Sequence, residues 1–152
     1  MQETDPKKVA ERMAELTCEL ARVCNEKENY FASMFNLTPA EFKCLRLFTN
    51  KNSLSIKELV HSMKITPGRI THILTSLEEK KFVTRRVDSR DKRNVIVQLT
   101  SKSEPFIKNL NESHIKLHEE ILKNIPADQQ EYIMSSMESI VTALRSWSKN
   151  YQ

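Results

Sequence analysis

The sequence predicts a mainly α-helical chain with one small β-hairpin, and three observations lead to this fold class. Glycine occurs once in 152 residues, which favours helices and excludes phosphate or dinucleotide loops built on glycine. Apolar residues recur at steps of three and four over most of the chain. Residues 83–99 depart from that spacing and read as a strand, a charged turn and a second strand.

The helices are predicted from their apolar stripes and their capping residues. Thr38, Ser55 and Thr66 each precede a short amphipathic segment and are good N-cap residues. Two longer helices are predicted within residues 101–150, separated at Pro126. The N-terminal helix, roughly residues 6–30, is indicated by the stripe Val9, Met13, Leu16, Leu20 and Val23.

The order helix, turn, helix, charged hairpin is that of a winged helix-turn-helix, here over residues 38–100. Residues 54–99 contain ten Lys or Arg against five Asp or Glu, whereas the rest of the chain contains 14 against 15. A cationic surface confined to one region is typical of phosphate binding. The pattern therefore predicts a sequence-specific protein that binds double-stranded DNA. The alternative is a winged helix that serves protein assembly and binds no DNA.

The flanking helices, residues 6–30 and 101–150, carry more apolar stripe than so small a DNA-binding region needs. We predict that they are dimerisation helices and that the protein is a homodimer. A monomeric helical domain packed on itself is the alternative.

Composition excludes several other classes of protein. No apolar run approaches the length of a membrane span, and the N-terminus is polar and acidic, unlike a signal peptide. Three cysteines without paired spacing argue against a disulfide framework. Too few residues remain outside the winged helix for a catalytic domain. We therefore predict a cytoplasmic protein that is not an enzyme, needs no cofactor and has no membrane partner.

The chain resembles the MarR family of transcription regulators over nearly its whole length, and we interpret residues 1–152 as a single MarR-like chain. The resemblance rests on the order of elements, on residues 65–78 and on the wing motif D-x-R-D-x-R at residues 88–93. It implies a dimeric repressor on a pseudo-palindromic operator, relieved in many members by a small ligand or by oxidation. Two positions depart from the family: His72 stands where arginine is usual, and Lys81 where glycine is common.

The predicted DNA contacts lie in the second helix of the helix-turn-helix and in the wing. Arg69, in the first helical turn, can take a guanine edge with two hydrogen bonds. Gly68 would let the backbone approach DNA closely, although it can equally be a poor helix residue without a role. Threonine and serine hydroxyls can reach phosphate oxygens. The full helix set is Thr66, Gly68, Arg69, Thr71, His72, Thr75 and Ser76.

The wing supplies Arg90, Lys92 and Arg93 as predicted contacts. Arg90 is the strongest candidate, because a narrow A·T-rich minor groove attracts an inserted arginine. Asp88 and Asp91 are predicted to pair with these arginines or a neighbouring basic residue and so stabilise the turn. We interpret Lys92, Arg85 and Arg86 as contacts to the DNA backbone or as solvated charge.

Three kinds of effector site are left open by the sequence. Cys18 and Cys24 are redox candidates, since peroxide-sensing relatives carry a reactive cysteine in the first helix, although both also suit packing. His114 and His118 are four residues apart, and Cys24, Glu28 and Cys44 are conceivable further ligands, but we predict no metal. An apolar effector pocket would draw on Phe31, Met34, Phe35, Phe48 and His114, which are equally good core residues.

Overall fold

The computed structural model describes residues 5–150. Residues 1–4 and 151–152 of the predicted single chain 1–152 lie outside the described residues. The predicted fold class, mainly α with a small β-hairpin, is confirmed. The chain divides into two compact units, one ending at Lys108 and the other beginning at Asn109. The elements are α1 (Pro6–Met34), α2 (Pro39–Arg46), β1 (Ser53–Ser55), α3 (Ile56–Met63), α4 (Pro67–Glu79), β2 (Val83–Val87), β3 (Val95–Leu99), α5 (Ser103–Leu122) and α6 (Ala127–Asn150).

All three predicted N-caps of the short helices are confirmed. The side chains of Thr38 and Ser55 accept hydrogen bonds from the backbone N–H three residues later and complete capping boxes with Glu41 and Glu58. The Thr66 hydroxyl accepts from the N–H of Arg69 at 3.3 Å. These caps fix the residue at which α2, α3 and α4 each begin. The turns between the helices of the helix-turn-helix are therefore well defined.

The core of the first unit lies where α2, α3 and α4 pack together and against the sheet. Burying one such apolar side chain stabilises the fold by ~1.5–3 kcal/mol, so a handful of them hold α4 firmly on the others. The inner face of α4 is therefore fixed, and its outer face stays in solvent. The most deeply buried side chains include Phe42, Leu45, Phe48, Leu59, Ile70, Leu74, Leu77 and Val97.

The sheet has one strand more than the sequence predicted. Its order is β1–β3–β2 with antiparallel pairing throughout, and β2 and β3 form the predicted hairpin. The added strand β1 pairs Leu54 with Val97, both of which are buried. It was missed because three residues carry no periodicity, and their pairing partner lies more than 40 positions away.

The chain turns out of α4 at Lys81, two residues past the helix and at a position where the family often has glycine. Lys81 has φ 63°, in the left-handed region that favours glycine. The N–H of Phe82 donates to Leu77 O, and that of Lys81 to Glu78 O, both at 2.9 Å. This is the Schellman pattern of helix termination, with Phe82 and Leu77 both buried. The helix therefore ends where a glycine would end it, and lysine bears the strain.

The long helices keep their predicted apolar stripes in solvent. In α1 the five stripe residues, from Val9 to Val23, are between 46% and 53% exposed. In α6, Leu144 is 46% exposed and Trp147 is 61% exposed. Among the described residues, no helix is both long and apolar enough to cross a membrane.

Candidate nucleic-acid interface

The outer face of α4 presents most of the predicted helix contacts to solvent. Gly68, Arg69 and His72 are exposed, at or near the start of the helix. A Cβ built on Gly68 would meet nothing within 4 Å. Packing within the chain therefore does not require glycine there, and a need for it would have to come from a bound partner.

The hydroxyls on this face are already donating. Thr71 Oγ1 donates to Pro67 O, and Thr75 Oγ1 donates to Thr71 O, each at 2.9 Å. Both threonines are exposed, so their hydroxyls can turn towards a phosphate by giving up one backbone contact. Thr66 is occupied as the N-cap of the same helix.

Ser76 departs from the predicted set. Its hydroxyl donates to Glu41 Oε1 at 2.5 Å, towards α2. The predicted phosphate contact would require breaking this bond to a nearly buried carboxylate. We therefore leave Ser76 out of the proposed interface.

The wing turn is built differently from the predicted pairing of acids with arginine side chains. Asp88 Oδ1 accepts from the backbone N–H of Arg90 at 2.9 Å, and Asp91 Oδ1 accepts from that of Arg93 at 3.0 Å. Asn94 Nδ2 donates to the other oxygen of Asp91 at 3.1 Å. The aspartates thus bind main-chain N–H groups, in hydrogen bonds typical of Asx-turns. The predicted side-chain pairing is wrong.

As a result, the wing tip carries unpaired positive charge. The side chains of Arg90, Lys92 and Arg93 are exposed, and within the described part of the chain none of them forms an ion pair. Three cations on one short turn can approach phosphates without first breaking a contact within the protein.

Arg85 is not the solvated charge that the sequence suggested. Its Nε and NH2 atoms donate to Glu78 Oε2 at 2.9 and 2.6 Å, and its backbone N–H donates to Oε1. The hydrogen bond from Arg85 is the main reason why the pKa of Glu78 lies below its ordinary value. A further bond runs from Arg85 to Thr75 Oγ1 at 3.3 Å. Arg85 therefore ties β2 to α4 and supports the contact face.

Sequence reasoning also missed the environment of Glu41. Its carboxylate completes the capping box of α2 and also contacts Ser76 and Lys80 at the end of α4. The signal available was the four-residue spacing of those two polar residues, which places them on one face of a helix. Nothing in the sequence indicated which helix that face would meet.

Three residues of the predicted effector pocket have different environments in the first unit. Phe48 is buried in the core and Met34 is 58% exposed, while Phe35 packs edge-on against Phe106 with ring centroids 4.4 Å apart. Two cavities of about 400 and 510 Å³ adjoin Arg46, and none of the predicted pocket residues lines either of them. His114 lies in the second unit, so the pocket stays a prediction.

The cysteine and histidine candidates have contrasting environments. Cys18 and Cys24 are exposed on α1, whereas burial raises the pKa of Cys44 to about 12, which leaves its thiol inert as a nucleophile or ligand. The rings of His114 and His118 pack edge to face, and His118 Nδ1 lies 2.7 Å from His114 O. Over residues 5–150, no group of three His, Cys, Asp or Glu side chains is placed to hold a metal.

Comparison with known proteins gives matches to regulators. Residues 37–95 match the model of the MarR family. The HTH-type transcriptional regulator SarZ of Staphylococcus aureus is 26% identical over 117 residues, covering 77% of this chain and 78% of SarZ. The uncharacterized regulator YfiV of Bacillus subtilis is 28% identical over 96 residues, covering 62% of this chain and 60% of YfiV. For YfiV and for YkoM of the same organism, the matched segment thus spans only about three fifths of the relative.

The fold has counterparts among solved structures. A mutant MarR from E. coli, complexed with operator DNA, superposes with a TM-score of 0.67 at 23% identity, covering 90% of this chain and 99% of that one. Its likeness concerns the fold, since the identity is low. The family model spans the helix-turn-helix and the wing turn, and the SarZ match extends beyond them. The chain therefore resembles the MarR family, through the family model over residues 37–95 and through the longer match to SarZ.

Proposed function

We propose that this protein is a sequence-specific DNA-binding transcription regulator. The observation that carries the proposal is the wing tip, where Arg90, Lys92 and Arg93 face solvent while Asp88 and Asp91 are engaged with the main chain. Electrostatic attraction to phosphate supplies a large share of the affinity of such proteins. The solved complexes of MarR with operator DNA and of S. aureus MepR with DNA support the proposal.

In the proposed complex, α4 enters the major groove and the wing reaches the adjacent minor groove. Arg69 lies in the first turn of α4, where its guanidinium can meet the O6 and N7 atoms of guanine. Arg90 inserts into the minor groove, where A·T-rich sequence narrows the groove and concentrates negative potential. Thr71 and Thr75 contact phosphates, and His72 contacts DNA with fewer donors than the arginine usual in the family.

We propose further that two copies bind one pseudo-palindromic operator. The exposed apolar stripes of α1 and α6 support a homodimer, because a contiguous apolar face in water marks an interaction surface. A two-fold dimer presents its two recognition helices about one helical turn of DNA apart. Each half-site is then read by one copy.

The regulatory outcome that we propose is repression of transcription in the cytoplasm, by a protein that occupies its operator. A small ligand or oxidation would release it from the operator. Oxidation is supported by the exposure of Cys18 and Cys24. Peroxide treatment of the parent and of Cys18→Ser and Cys24→Ser variants distinguishes the two routes. Release of DNA that disappears in one variant supports oxidation, and a parent that keeps its DNA under peroxide leaves the ligand route.

The proposal is tested by selecting binding sites from a pool of random double-stranded DNA. We expect enrichment of one inverted repeat and an affinity that falls steeply with salt concentration. Selection of no sequence would contradict the proposal and favour the protein-assembly alternative.

A further inference from the structure

Within residues 5–150, two helices begin with capping boxes that have the same sequence pattern and different surroundings. Thr38 with Glu41 caps α2, and Ser55 with Glu58 caps α3. Glu58 is exposed, and its only ion-pair partner in the described part of the chain is Lys51, at 3.5 Å on the surface. The Glu41 side chain is 3% exposed and receives hydrogen bonds from another helix. Capping alone does not require that burial.

The Glu41 carboxylate accepts hydrogen bonds from three separate groups. Ser76 Oγ donates to Oε1 at 2.5 Å, while Lys80 Nζ and the N–H of Thr38 donate to Oε2 at 2.8 and 2.7 Å. Lys80 Nζ also donates to Asn36 O at 2.9 Å. Ser76 and Lys80 are one helical turn apart at the end of α4. We call this set of contacts between Glu41, Ser76 and Lys80 the α2–α4 clamp.

The clamp is polar in a place where apolar packing would also stabilise the fold. Burial alone would raise the pKa of Glu41, but hydrogen bonds from Lys80, Ser76 and Thr38 outweigh it, and the pKa lies below its ordinary value. The group is therefore ionised at neutral pH. Charge-assisted hydrogen bonds are directional, so they fix position more narrowly than apolar contacts do. A buried polar network of this kind serves a defined geometry as well as stability.

The clamp lies at the opposite end of α4 from its predicted base contact. Arg69 precedes Lys80 by eleven residues, which places it about 16 Å away along the axis. A tilt of about 5° at the clamp would displace that end by roughly 1.4 Å. Hydrogen bonds to base edges tolerate only a few tenths of an ångström. A small tilt of α4 at the clamp therefore displaces its first turn by more than a hydrogen bond to a base edge tolerates.

We propose that Glu41 is a positioning residue for sequence recognition, which holds α4 at the angle that aligns its first turn with the bases. The inference rests on the proposed function, because it concerns how that function discriminates between sequences. Glu41 touches no DNA in this account and acts through Ser76 and Lys80.

The test measures the ratio of affinities for two duplexes, the sequence selected by the parent protein and a scrambled sequence of equal length. Glu41→Gln keeps a side chain able to complete the capping box and removes the charge. We expect the ratio to fall about tenfold, the effect of losing one well-placed base contact. Affinity for the scrambled duplex should be unchanged, since the cationic surface remains.

Glu58→Gln is the matched control, because it alters the other capping box in the same way without touching α4. We expect its affinity ratio to equal that of the parent. Lys80→Met keeps the aliphatic stem and breaks the clamp from α4, so it serves if Glu41→Gln folds poorly. The double variant should lose no more than either single variant, because both remove the same contact.

These measurements distinguish a failure of the clamp proposal from a failure of the proposed DNA-binding function. A parent that selects no sequence defeats the proposed function. A parent that selects one, with folded Glu41→Gln or Lys80→Met showing the parental ratio, overturns the clamp proposal alone. Equal weakening on both duplexes also overturns it, because a positioning role predicts loss on the selected sequence.

Discussion

The winged-helix region, residues 38–100, and the long helices α1 and α6 have the same apolar spacing in sequence and opposite fates in the structure. In the winged-helix region the stripes of α2, α3 and α4 are buried against one another. In α1 and α6 the stripes remain about half exposed. Periodicity thus identifies the apolar face of a helix but not what covers it. The stripes of the first region are covered within one chain, and those of α1 and α6 are the faces on which the proposed second copy would pack.

The two regions also differ in how they use charge. In α1, acids and bases neutralise one another along the helix, with Arg12 beside Glu15 and Arg22 between Glu19 and Glu26. In the wing, the acids bind main-chain N–H groups and leave the cations uncompensated. Surface pairs of the first kind contribute little to stability or recognition. Free cations of the second kind are what a phosphate backbone attracts.

The largest expected effect comes from charging the exposed face of α6. Leu144→Glu combined with Trp147→Glu should convert a dimer to a monomer, because carboxylates would be desolvated at the interface. Operator binding should be lost with it, and light scattering and gel shift measure the two effects. Lys149→Glu, a charge change on the same helix, should leave a dimer. A parent that is monomeric at micromolar concentration would contradict the comparison.

The next largest effect is expected at the wing. Arg90→Ala should weaken binding strongly, most of all on operators with A·T-rich flanks, without changing dimerisation or thermal stability. The slope of log affinity against log salt should become shallower by about one unit. Asp88→Ala should show a milder defect, because it loosens the turn that Asp88 caps.

Lys123→Ala provides the control for the wing, since it removes an exposed cation that pairs with Glu120. Its affinity and salt slope should match those of the parent. If the affinity and salt slope of Arg90→Ala also match those of the parent, the wing has no part in DNA binding. The contrast between the paired charges of α1 and the unpaired cations of the wing then has no functional consequence.

A smaller and more specific effect is expected at the start of α4. Arg69→Ala should relax preference at one base position in each half-site, by ~1–3 kcal/mol if the contact is bidentate. Repeating the selection with the variant measures this directly. Equal weakening on every sequence would instead make Arg69 a phosphate contact.

The smallest expected effect is a gain in stability at the end of α4. Lys81→Gly should raise the free energy of unfolding by ~1 kcal/mol, since glycine adopts the left-handed conformation without strain. Lys116→Gly, at an exposed position in the interior of α5, should lower it by about the same amount. Urea denaturation measures both, and a destabilised Lys81→Gly would show that the lysine side chain makes a contact worth more than the strain.

Local signals predicted most of the fold and the general place of the interface. The caps at Thr38, Ser55 and Thr66 were readable because each cap depends on residues within one helical turn. The strand β1 was not, because its partner is distant in sequence. Side-chain partnership was also out of reach: Asp88 could bind a guanidinium or a backbone N–H, and only the path of the turn decides between them.

For the same reason, the sequence did not predict which polar residues of α4 form hydrogen bonds to other elements. Ser76 and Thr75 are both hydroxyl residues on one helix, yet Ser76 bonds to Glu41 of α2 and Thr75 remains exposed. Glu78 and Arg85 meet because β2 returns alongside α4. Such contacts depend on how elements pack, which periodicity does not specify.

The central claim is that the winged-helix region binds DNA while α1 and α6 pair two chains. The mass of the complex on a selected duplex tests this claim most directly, because it depends on both regions. Light scattering of the parent at saturation should give two chains on each duplex that carries the inverted repeat. A duplex with one half-site destroyed should bind far more weakly and still recruit chains in pairs. One chain on each duplex, bound with full sequence preference, would contradict the account.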